Sequence, residues 1–250
     1  MFPKIVYKFR NWNNVKHKRI ITNNELFLAP PKSFNDPYDC RITKSYNILK
    51  SAEEKDHFIQ YLRNRDEEIL RSQGMDVESE MNRIRNILDN PEELKIFQKQ
   101  NDDIYFEMQD KFYGVISFCI NWRNFVVWSY YADSHKGFAV GFNEELLRHS
   151  GLFGDGGKVH YKYKIPIIHP EEEDIIKRAF QETHTKSIYW RHEREYRLTK
   201  RFFPNEPSIE DRIVNFPDSF IKNVIIGCEA TDETINEILA VTKRKNIETF

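Results

Sequence analysis

The sequence predicts an α+β fold, with a mixed and mostly antiparallel central sheet and a charged helical insertion. Strand-like segments lie near both ends of the chain, a charged block between them has apolar residues at helical spacing, and strands and helices do not alternate regularly. The 250 residues are 40% hydrophobic and 14% aromatic, which is enough to build a sizeable core. We therefore expect one α+β domain over residues 1–250, with residues 51–111 as the helical insertion.

Strands are predicted where apolar residues alternate along the chain or run continuously between turn residues. At the amino terminus, Ile5, Tyr7 and Phe9 recur at every second position. The predicted strands cover residues 4–9, 25–29, 114–120, 137–142, 158–163, 195–200 and 220–226. Because Asn-Asp-Pro at 35–37 disfavours helix, residues 33–39 are predicted to be a loop, and the first forty residues are predicted to contain only strands and loops.

Helices are predicted in the charged block and at two later places. Within residues 51–111, Phe58, Leu62 and Ile69 recur at the spacing of an amphipathic helix. Asn90 is predicted to cap a helix that begins at Pro91. Two further helices are predicted over residues 171–187 and 232–244. Residues 151–157 contain four glycines but lack the lysine of a phosphate loop, and they are predicted to form a flexible connection.

The charge composition restricts the partners that the whole chain can attract. Its 38 basic and 39 acidic residues nearly cancel, so no global charge indicates a nucleic-acid partner. No apolar stretch has the length of a signal-peptide core or a membrane span, so we expect a cytoplasmic protein without membrane contact. Cys40, Cys119 and Cys228 lack the spacing of a disulfide framework or a zinc site.

The densest group of ionisable and aromatic residues runs from Trp190 to Arg197. In an extended chain, Glu193, Glu195 and Arg197 would share one face, and the two carboxylates could stabilise a cationic transition state or bind a metal ion. In a helix, Glu193 and Arg197 would instead form an i,i+4 salt bridge on a solvated face. In either conformation Arg197 could simply neutralise the carboxylates, so the sequence leaves a functional and a structural interpretation open.

Three further clusters contain side chains that could recognise a ligand, at residues 7–10, 34–39 and 128–137. Each cluster also has a structural interpretation, as strand core, as an Asn-Asp-Pro turn and as aromatic packing, respectively. The chain has no Walker, Rossmann or nucleophile-elbow motif, and His192-Glu193 lacks the second histidine of a zincin helix. The clusters therefore have to be judged by whether the fold brings them together.

Taken in order, the four clusters resemble the bacterial domain-of-unknown-function family 2971. The pattern of that family consists of Tyr-Lys-Tyr/Phe-Arg, Phe-Asn-Asp-Pro-Tyr/Phe-Asp, Trp-Ser-x-Tyr-Ala-Asp-x-His-Lys-Gly and Trp-x-x-Glu-x-Glu-Tyr/Trp-Arg. All four elements are present between Tyr7 and Arg197, and residues 224–227 fit as well. The resemblance covers most of the chain and does not by itself supply a function.

A second resemblance is to the ADP-ribosyltransferase superfamily. Its members carry an early strand with Arg or His, a middle aromatic or Ser-bearing strand, and a late Glu that often follows another Glu or Gln by two residues. Arg10, the segment at 136–138 and the Glu-x-Glu at 193–195 occur here in that order. The middle segment departs from the usual Ser-Thr-Ser pattern, so nicotinamide recognition is the part of the resemblance that this segment does not support.

The second resemblance implies a role for each matched residue. Arg10 would bind a pyrophosphate through bidentate hydrogen bonds, and Tyr131 or Phe138 would stack on nicotinamide. Glu195 would stabilise the ribosyl oxocarbenium ion, while Glu193 would orient the acceptor. NAD would then be a substrate, and no metal ion is expected in this scheme.

The leading hypothesis is therefore an NAD-consuming ADP-ribosyltransferase or glycohydrolase, and it includes a role as an effector in bacterial phage defence or stress. Its expected ligand is a nucleotide or dinucleotide, and its acceptor is left open. The candidate residues are Glu195 and Glu193 as catalytic groups, Tyr7, Arg10, Tyr131, Lys136 and Phe138 as cofactor-binding groups, and Asn35, Asp36, Trp128, Trp190 and Arg197 as further members of the site.

Two other hypotheses belong to different functional classes. One is a metal-dependent nuclease or hydrolase that binds Mg²⁺ or Mn²⁺ through carboxylates converging on one point. Its ligands would be Asp36, Asp39, Asp133, Glu193 and Glu195. The other is a non-catalytic binding module, in which the aromatic clusters form a recognition groove and the charges act as scaffolding.

Overall fold

The computed structural model describes residues 2–250 and confirms the predicted α+β class. Its helices are α1 (Val15–Thr22), α2 (Ala52–Ser72), α3 (Val77–Asp89), α4 (Pro91–Phe112), α5 (Phe125–Tyr131), α6 (Glu144–Arg148), α7 (Ile175–His184) and α8 (Asp232–Arg244). Its strands are β1 (Ile5–Arg10), β2 (Glu25–Phe27), β3 (Tyr113–Cys119), β4 (Phe138–Asn143), β5 (Asp155–Lys158), β6 (His160–Lys162), β7 (Thr185–Ser187), β8 (Glu195–Arg201), β9 (Ile213–Asn215), β10 (Ile221–Ile226) and β11 (Glu248–Thr249).

The described chain divides into two compact units. The first comprises residues 2–40, 109–164 and 183–250, and the second comprises residues 41–108 and 165–182. Most of the predicted insertion at 51–111 lies in the second unit. That unit also includes residues 165–182, which the charge pattern did not link to it.

The first unit is built on a seven-stranded sheet with the order β11-β10-β4-β1-β3-β8-β5. Neighbouring strands are antiparallel except for β10 and β11, which are parallel. Two small ladders accompany the sheet, an antiparallel pair of β2 with β9 and a parallel pair of β6 with β7. The mostly antiparallel character that the sequence predicts is confirmed.

The centre of the sheet is joined by very little backbone pairing. Strand β1 pairs with β4 along all six of its residues, but its register with β3 is limited to Tyr7 opposite Cys119. Beyond that pair the Lys8 ammonium donates a hydrogen bond to the Ser117 carbonyl oxygen at 2.5 Å. A side chain therefore supplies a cross-link where the backbone ladder of β1 and β3 stops.

Different helices pack on the two faces of the sheet. On one face, Phe138, Tyr196 and Leu198 pack with buried residues of α1 and α8, such as Ile21 and Ile238. On the other face, Tyr7, Phe9, Cys119, Ala139 and Ile225 pack with Val127 and Trp128 of α5. The period of two along each strand explains this separation, because successive side chains point to opposite faces.

The second unit owes its helices to conventional caps and amphipathic spacing. Ser51 and Glu54 form a reciprocal capping box at the start of α2, and Asp76 caps α3. Asn90 accepts hydrogen bonds from the backbone N–H groups of Glu92 and Glu93, as its position before Pro91 predicts. The core of this unit contains Leu49, Phe58, Leu62, Val77, Met81, Ile84 and Leu88.

Some predicted boundaries are wrong for identifiable reasons. The first forty residues are not only strands and loops, because the Asn14 side chain accepts from the Lys16 and His17 N–H groups and thereby starts α1. The helix predicted over 171–187 is confined to α7, and the chain then enters β7. The predicted strand at 158–163 is divided between β5 and β6, and the glycine-rich connection ends in β5, which pairs with β8.

Within residues 2–250, none of the helices has both the length and the apolar character that crossing a bilayer requires.

A left-handed turn holds the end of α5 against β1. Asp133, Ser134 and His135 have φ angles of 51°, 52° and 68°, which are costly for residues other than glycine. Gly137 follows, and a Cβ atom there would lie 2.1 Å from the Arg10 carbonyl oxygen. This close approach requires a glycine and fixes the end of the strand that carries Arg10.

We predict that Gly137→Ala lowers the free energy of unfolding by about 1–3 kcal/mol, because the added methyl group must displace backbone atoms. Urea unfolding followed by circular dichroism measures this change. Gly154→Ala is the matched control, since its Cβ would lie 3.5 Å from the Thr199 carbonyl oxygen, an ordinary contact. Equal stability of the two variants would contradict the packing assigned to Gly137.

Candidate functional site

The principal pocket of the first unit opens where β1 and β3 separate. It has a volume of about 290 Å³, near the lower end of the range for small-molecule sites. Aromatic side chains form much of its wall, namely those of Tyr7, Phe9, Phe27, Phe34, Phe118 and Tyr131. Its charged groups are the side chains of Lys8, Arg10, Asp39, Lys186, Glu193, Glu195 and Arg197.

Arg197 is the centre of the charged part of this pocket and is 1% exposed. Its Nε and Nη2 donate to the two oxygens of Glu195, at 2.7 and 2.8 Å. Its Nη1 and Nη2 donate to the two oxygens of Asp39, at 2.8 and 2.5 Å, and Nη1 also donates to the Thr183 carbonyl oxygen at 2.7 Å. All five guanidinium N–H groups therefore have an oxygen acceptor.

Lys186 extends this arrangement to the second glutamate. Its ammonium lies 2.6 Å from Glu193 Oε2, 3.5 Å from Glu195 Oε2 and 3.3 Å from Asp39 Oδ2. Strand β7 places this lysine, and Trp190 covers it with the ring centroid 4.7 Å from Nζ. Lys186 and Arg197 thus hold three buried carboxylates close together, and we call these five residues the buried ion cluster.

The local fold explains why Glu195 and Arg197 share one face. Both lie on β8, two residues apart, and Glu195 is opposite Cys119 while Arg197 is opposite Ser117 of β3. The Glu195 N–H group donates to the Tyr161 hydroxyl oxygen at 2.8 Å, so the first residue of the strand is held from outside the sheet as well. The carboxylate and the guanidinium are therefore preorganised by backbone pairing.

The cluster keeps the Glu195 carboxylate ionised. Burial alone would raise the pKa of Glu195, but the neighbouring Arg197 and Lys186 charges outweigh burial and lower it to about 2. The same carboxylates raise the pKa of Lys186 and of Arg197 despite the opposing effect of burial. At neutral pH the pocket contains a fixed, dehydrated negative charge at Glu195.

Glu193 is linked to the aromatic wall of the pocket. The Tyr131 hydroxyl donates to Glu193 Oε1 at 2.6 Å, and the Asn35 amide donates to the Tyr131 hydroxyl oxygen at 3.0 Å. Burial, and next the Glu193 charge, raise the pKa of Tyr131, so its hydroxyl remains a proton donor at neutral pH. Both Glu193 oxygens are therefore held, one by Tyr131 and the other by Lys186.

Two further cations line the pocket without a carboxylate partner among residues 2–250. Arg10 donates to the Phe9 carbonyl oxygen at 3.3 Å, and Lys8 donates to the Ser117 carbonyl oxygen. Burial lowers the pKa of Arg10 to about 10, and burial together with the Arg10 charge holds the pKa of Lys8 well below its usual value. The Glu195 charge opposes the shift of the Lys8 pKa without cancelling it, so an additional negative charge would stabilise this side of the pocket.

The structure brings together seven of the residues predicted to form a site. These are Tyr7, Arg10, Asn35, Tyr131, Glu193, Glu195 and Arg197, all of which line the pocket. It places the other five outside the lining, namely Asp36, Trp128, Lys136, Phe138 and Trp190.

Each of the five has a different position. Phe138 is completely buried in the core on the opposite face of the sheet, which contradicts its suggested stacking on nicotinamide. Trp128 packs edge-on against Phe9 beneath the pocket, and Trp190 covers Lys186. The Asp36 carboxylate accepts from the Tyr38 N–H group in its own turn, and Lys136 is exposed.

The conformation predicted for residues 190–197 is only partly right. Ile188–Glu193 form a 3₁₀ turn, Arg194 takes a left-handed conformation with φ 47°, and the extended chain begins at Glu195. The 3₁₀ turn, rather than an extended strand, places the Glu193 side chain near that of Glu195. The alternative salt bridge of Glu193 with Arg197 is not formed, since Arg197 binds Glu195 and Asp39.

Sequence reasoning missed Lys186. It included Lys8, Phe34 and Asp39 only as members of the clusters at 7–10 and 34–39, and it gave an individual role only to Asp39, as a metal ligand. Lys8 and Phe34 stand inside the motifs quoted above, next to residues that were chosen, so the motifs could have indicated them. Lys186 belongs to no motif, and only the pairing of β6 with β7 brings it to the site. The guanidinium of Arg197 stacks over Phe34, with its carbon 5.5 Å from the ring centroid.

The geometry gives limited support to the metal hypothesis. Three of the five proposed carboxylates, those of Asp39, Glu193 and Glu195, do converge, but they surround the ammonium and guanidinium groups of the buried ion cluster. Asp36 and Asp133 do not line the pocket. Among residues 2–250, no group of three or more His, Cys, Asp or Glu side chains is arranged to hold a metal ion.

Comparison of the chain with models of protein families, with curated proteins and with solved structures returned no match. The two resemblances drawn from sequence motifs therefore stay predictions, and the function has to be inferred from the chemistry of the pocket.

We predict that Lys186→Met lowers the free energy of unfolding by about 3–5 kcal/mol, because it leaves three buried carboxylates with one cation. Chemical denaturation at pH 7 measures the loss. Lys222→Met is the matched control, since Lys222 is exposed on β10 and we expect a change within about 0.5 kcal/mol. A loss below 1 kcal/mol for Lys186→Met would show that the cluster does not depend on this lysine.

A second prediction concerns the loss of folding stability at low pH. The pKa of Glu195 in the folded protein is about 2, whereas that of an unfolded glutamate is ~4.3. The stabilisation by its charge is therefore complete above the unfolded value and is lost as pH falls towards 2. We expect the stability difference between wild type and Glu195→Gln to be largest at pH 6 and to shrink from pH 4 downwards.

Denaturation curves for both proteins between pH 6 and pH 3 test this expectation. Glu145→Gln, at an exposed position of α6, is the control and should differ little from wild type at any pH. A difference for Glu195→Gln that does not change with pH would mean that Glu195 is not held ionised by the cluster.

Proposed function

We propose that this chain binds a phosphate-bearing nucleotide in the pocket between β1 and β3, and that it cleaves NAD⁺ at the nicotinamide ribosyl bond. One observation carries the proposal: two cations without carboxylate partners share a pocket with an ionised, buried glutamate. NAD⁺ combines a negative pyrophosphate with a ribose that becomes positive as nicotinamide departs. The pocket offers a complementary charge for each.

Lys8 and Arg10 support the phosphate side of the proposal. Lys8 and Arg10 are partly buried, and a partly buried cation without a counter-ion would be stabilised by an anionic ligand. The planar fork of Arg10 can donate two parallel hydrogen bonds to a phosphate, whereas Lys8 acts as a compact point charge. A nucleoside without phosphate would leave both cations uncompensated.

The buried ion cluster supports the ribose side of the proposal. Arg197 fixes the Glu195 carboxylate in one orientation, so little reorganisation is needed when positive charge develops beside it. Tyr131 and Phe34 give the same pocket aromatic surface on which a nicotinamide or adenine ring could pack. This assigns to Tyr131 the stacking role for which Phe138 is excluded by its burial.

In the proposed reaction the bond between C1′ of the ribose and N1 of nicotinamide breaks, and its electron pair leaves with neutral nicotinamide. The Glu195 carboxylate stabilises the positive charge that develops on the ribose. A lone pair of water or of an acceptor nucleophile then forms the new bond to C1′. The proton that this nucleophile loses passes to solvent, and Glu193 orients the nucleophile.

A non-catalytic nucleotide-binding module is the second candidate. The observation that favours it is the complete engagement of Glu195, whose two oxygens both accept hydrogen bonds from Arg197. In this candidate the carboxylate held by Arg197 serves to shape the pocket and takes no part in a reaction. This candidate shares phosphate binding with the first proposal but does not include cleavage of NAD⁺.

We predict that the purified protein consumes NAD⁺ and that Glu195→Gln abolishes turnover, measured by release of nicotinamide. Because Glu195→Gln is also expected to destabilise the fold, Arg10→Gln provides a second variant that removes no internal ion pair. It should weaken binding of NAD⁺ and of ADP-ribose at least tenfold, while Lys222→Gln should match wild type. Circular dichroism establishes that each variant is folded at the assay temperature.

The ligand series separates the candidates. Thermal stabilisation by NAD⁺ and ADP-ribose but not by adenosine, with turnover that depends on Glu195, is the expected result. Binding without turnover in water, with Mg²⁺ and with Mn²⁺ would favour the binding module. No binding of any phosphate-bearing nucleotide would contradict both.

A further inference from the structure

Two segments of the first unit expose an unusual combination of aromatic and basic side chains. We define the aromatic-basic surface by Trp122, Arg123, Phe125, Tyr189, Arg191 and Arg194. Phe125 is 71% exposed and Tyr189 is 81% exposed, although such large rings are usually buried at least in part. Exposure of this degree indicates a surface for recognition.

Hydrogen bonds make the two segments neighbours. The Asn124 amide donates to the His192 carbonyl oxygen at 2.5 Å, and the Ile120 N–H group donates to the Arg194 carbonyl oxygen at 3.0 Å. Arg123 and Arg191 each stand one residue from the first of these bonds. The two segments that carry the arginines and rings are therefore adjacent in the fold.

The surface is held in shape before any partner binds. The His192 ring bonds to the Tyr189 carbonyl oxygen at 3.1 Å, and the guanidinium of Arg123 lies over the Trp122 ring at 4.8 Å. The Trp128 indole N–H group donates to the Trp122 carbonyl oxygen at 2.7 Å. Prior ordering of this kind reduces the entropy that a binding partner would have to overcome.

The charge of the surface has one sign. Residues 120–131 and 186–194 contain a single carboxylate, that of Glu193, which is buried in the ion cluster. Within residues 2–250, Arg123, Arg191 and Arg194 form no ion pair with an acidic side chain. The nearly neutral net charge of the chain therefore conceals a local basic surface that complements an anionic partner.

The elements that carry the aromatic-basic surface also contribute residues to the proposed nucleotide pocket. Helix α5 carries Phe125 of this surface, and the same helix contributes Val127 and Tyr131 to the pocket wall. The turn Ile188–Glu193 carries Tyr189 and Arg191, and it ends at Glu193 inside the pocket. A partner that lies on this surface would therefore contact elements that also form the pocket wall.

We propose that the aromatic-basic surface binds single-stranded nucleic acid, with bases stacked on Phe125, Tyr189 and Trp122 and phosphates bound by the three arginines. Exposed rings stack on bases of any sequence, and cations between them neutralise the backbone. In a duplex the base faces are covered, so the rings favour a single strand. We also infer that the bound strand is the acceptor of the ADP-ribosyl group. This second step rests on the proposed function, whereas binding of the strand does not.

The first test is fluorescence anisotropy with labelled 12-nucleotide DNA and RNA of one mixed sequence, each as a single strand and as a duplex, without NAD⁺. We expect the single strands to bind more tightly than the duplexes. Tyr189→Ala should weaken binding by between about 5-fold and 100-fold through loss of stacking. Arg123→Ala and Arg191→Ala should each reduce the slope of log affinity against log salt by about 0.7.

Phe250→Ala and Lys222→Ala are the matched controls, because each removes an exposed aromatic or basic side chain elsewhere in the first unit. Both should bind like wild type. Three outcomes would overturn the proposal: no binding at 50 mM salt, unchanged affinity in all three surface variants, or tighter binding of an acidic peptide than of the oligonucleotides. Since the assay contains no NAD⁺, its result is independent of whether the protein cleaves that molecule.

Discussion

The structure of the site depends on one guanidinium group whose five N–H donors are all used. Without Arg197, the carboxylates of Asp39, Glu193 and Glu195 would be buried around the single ammonium of Lys186. With it, Glu195 stays ionised at neutral pH, because the Arg197 and Lys186 charges outweigh the effect of burial on its pKa. Lys186 then adds Glu193 to the same arrangement, so that three carboxylates share two cations.

The interruption of the central sheet gives this charge cluster access to a ligand. Four strands, β11, β10, β4 and β1, lie on one side of the interruption, and β3, β8 and β5 lie on the other. Strand β1 contributes the cations Lys8 and Arg10, whereas β8 contributes Glu195 and Arg197. Both halves of the sheet therefore contribute charge to the pocket, and the Glu195 charge on β8 partly opposes the lowering of the Lys8 pKa on β1.

The sequence predicted most strands and the residues within its motifs, because alternation and local spacing are visible in a single chain. It could not reveal long-range pairing: Lys186 enters the site only through the short ladder of β6 and β7. Nor could it show that Phe138 packs in the core on the face away from the pocket, where it cannot stack on a ligand. The α1 helix was not predicted, because Asn14 can bond nearby backbone N–H groups both in a turn and at the start of a helix.

The single lysine cross-link between β1 and β3 has a thermodynamic consequence for any anion that enters. A neutral amine has two protons and an ammonium has three, so Lys8 can serve both the Ser117 carbonyl and an anion most fully when it is charged. Burial and the Arg10 charge lower the pKa of Lys8, and an anion beside the amine would oppose that shift. At any pH where the amine is partly neutral, filling the site and protonating Lys8 would therefore favour each other, and the heat of binding would depend on the ionisation enthalpy of the buffer.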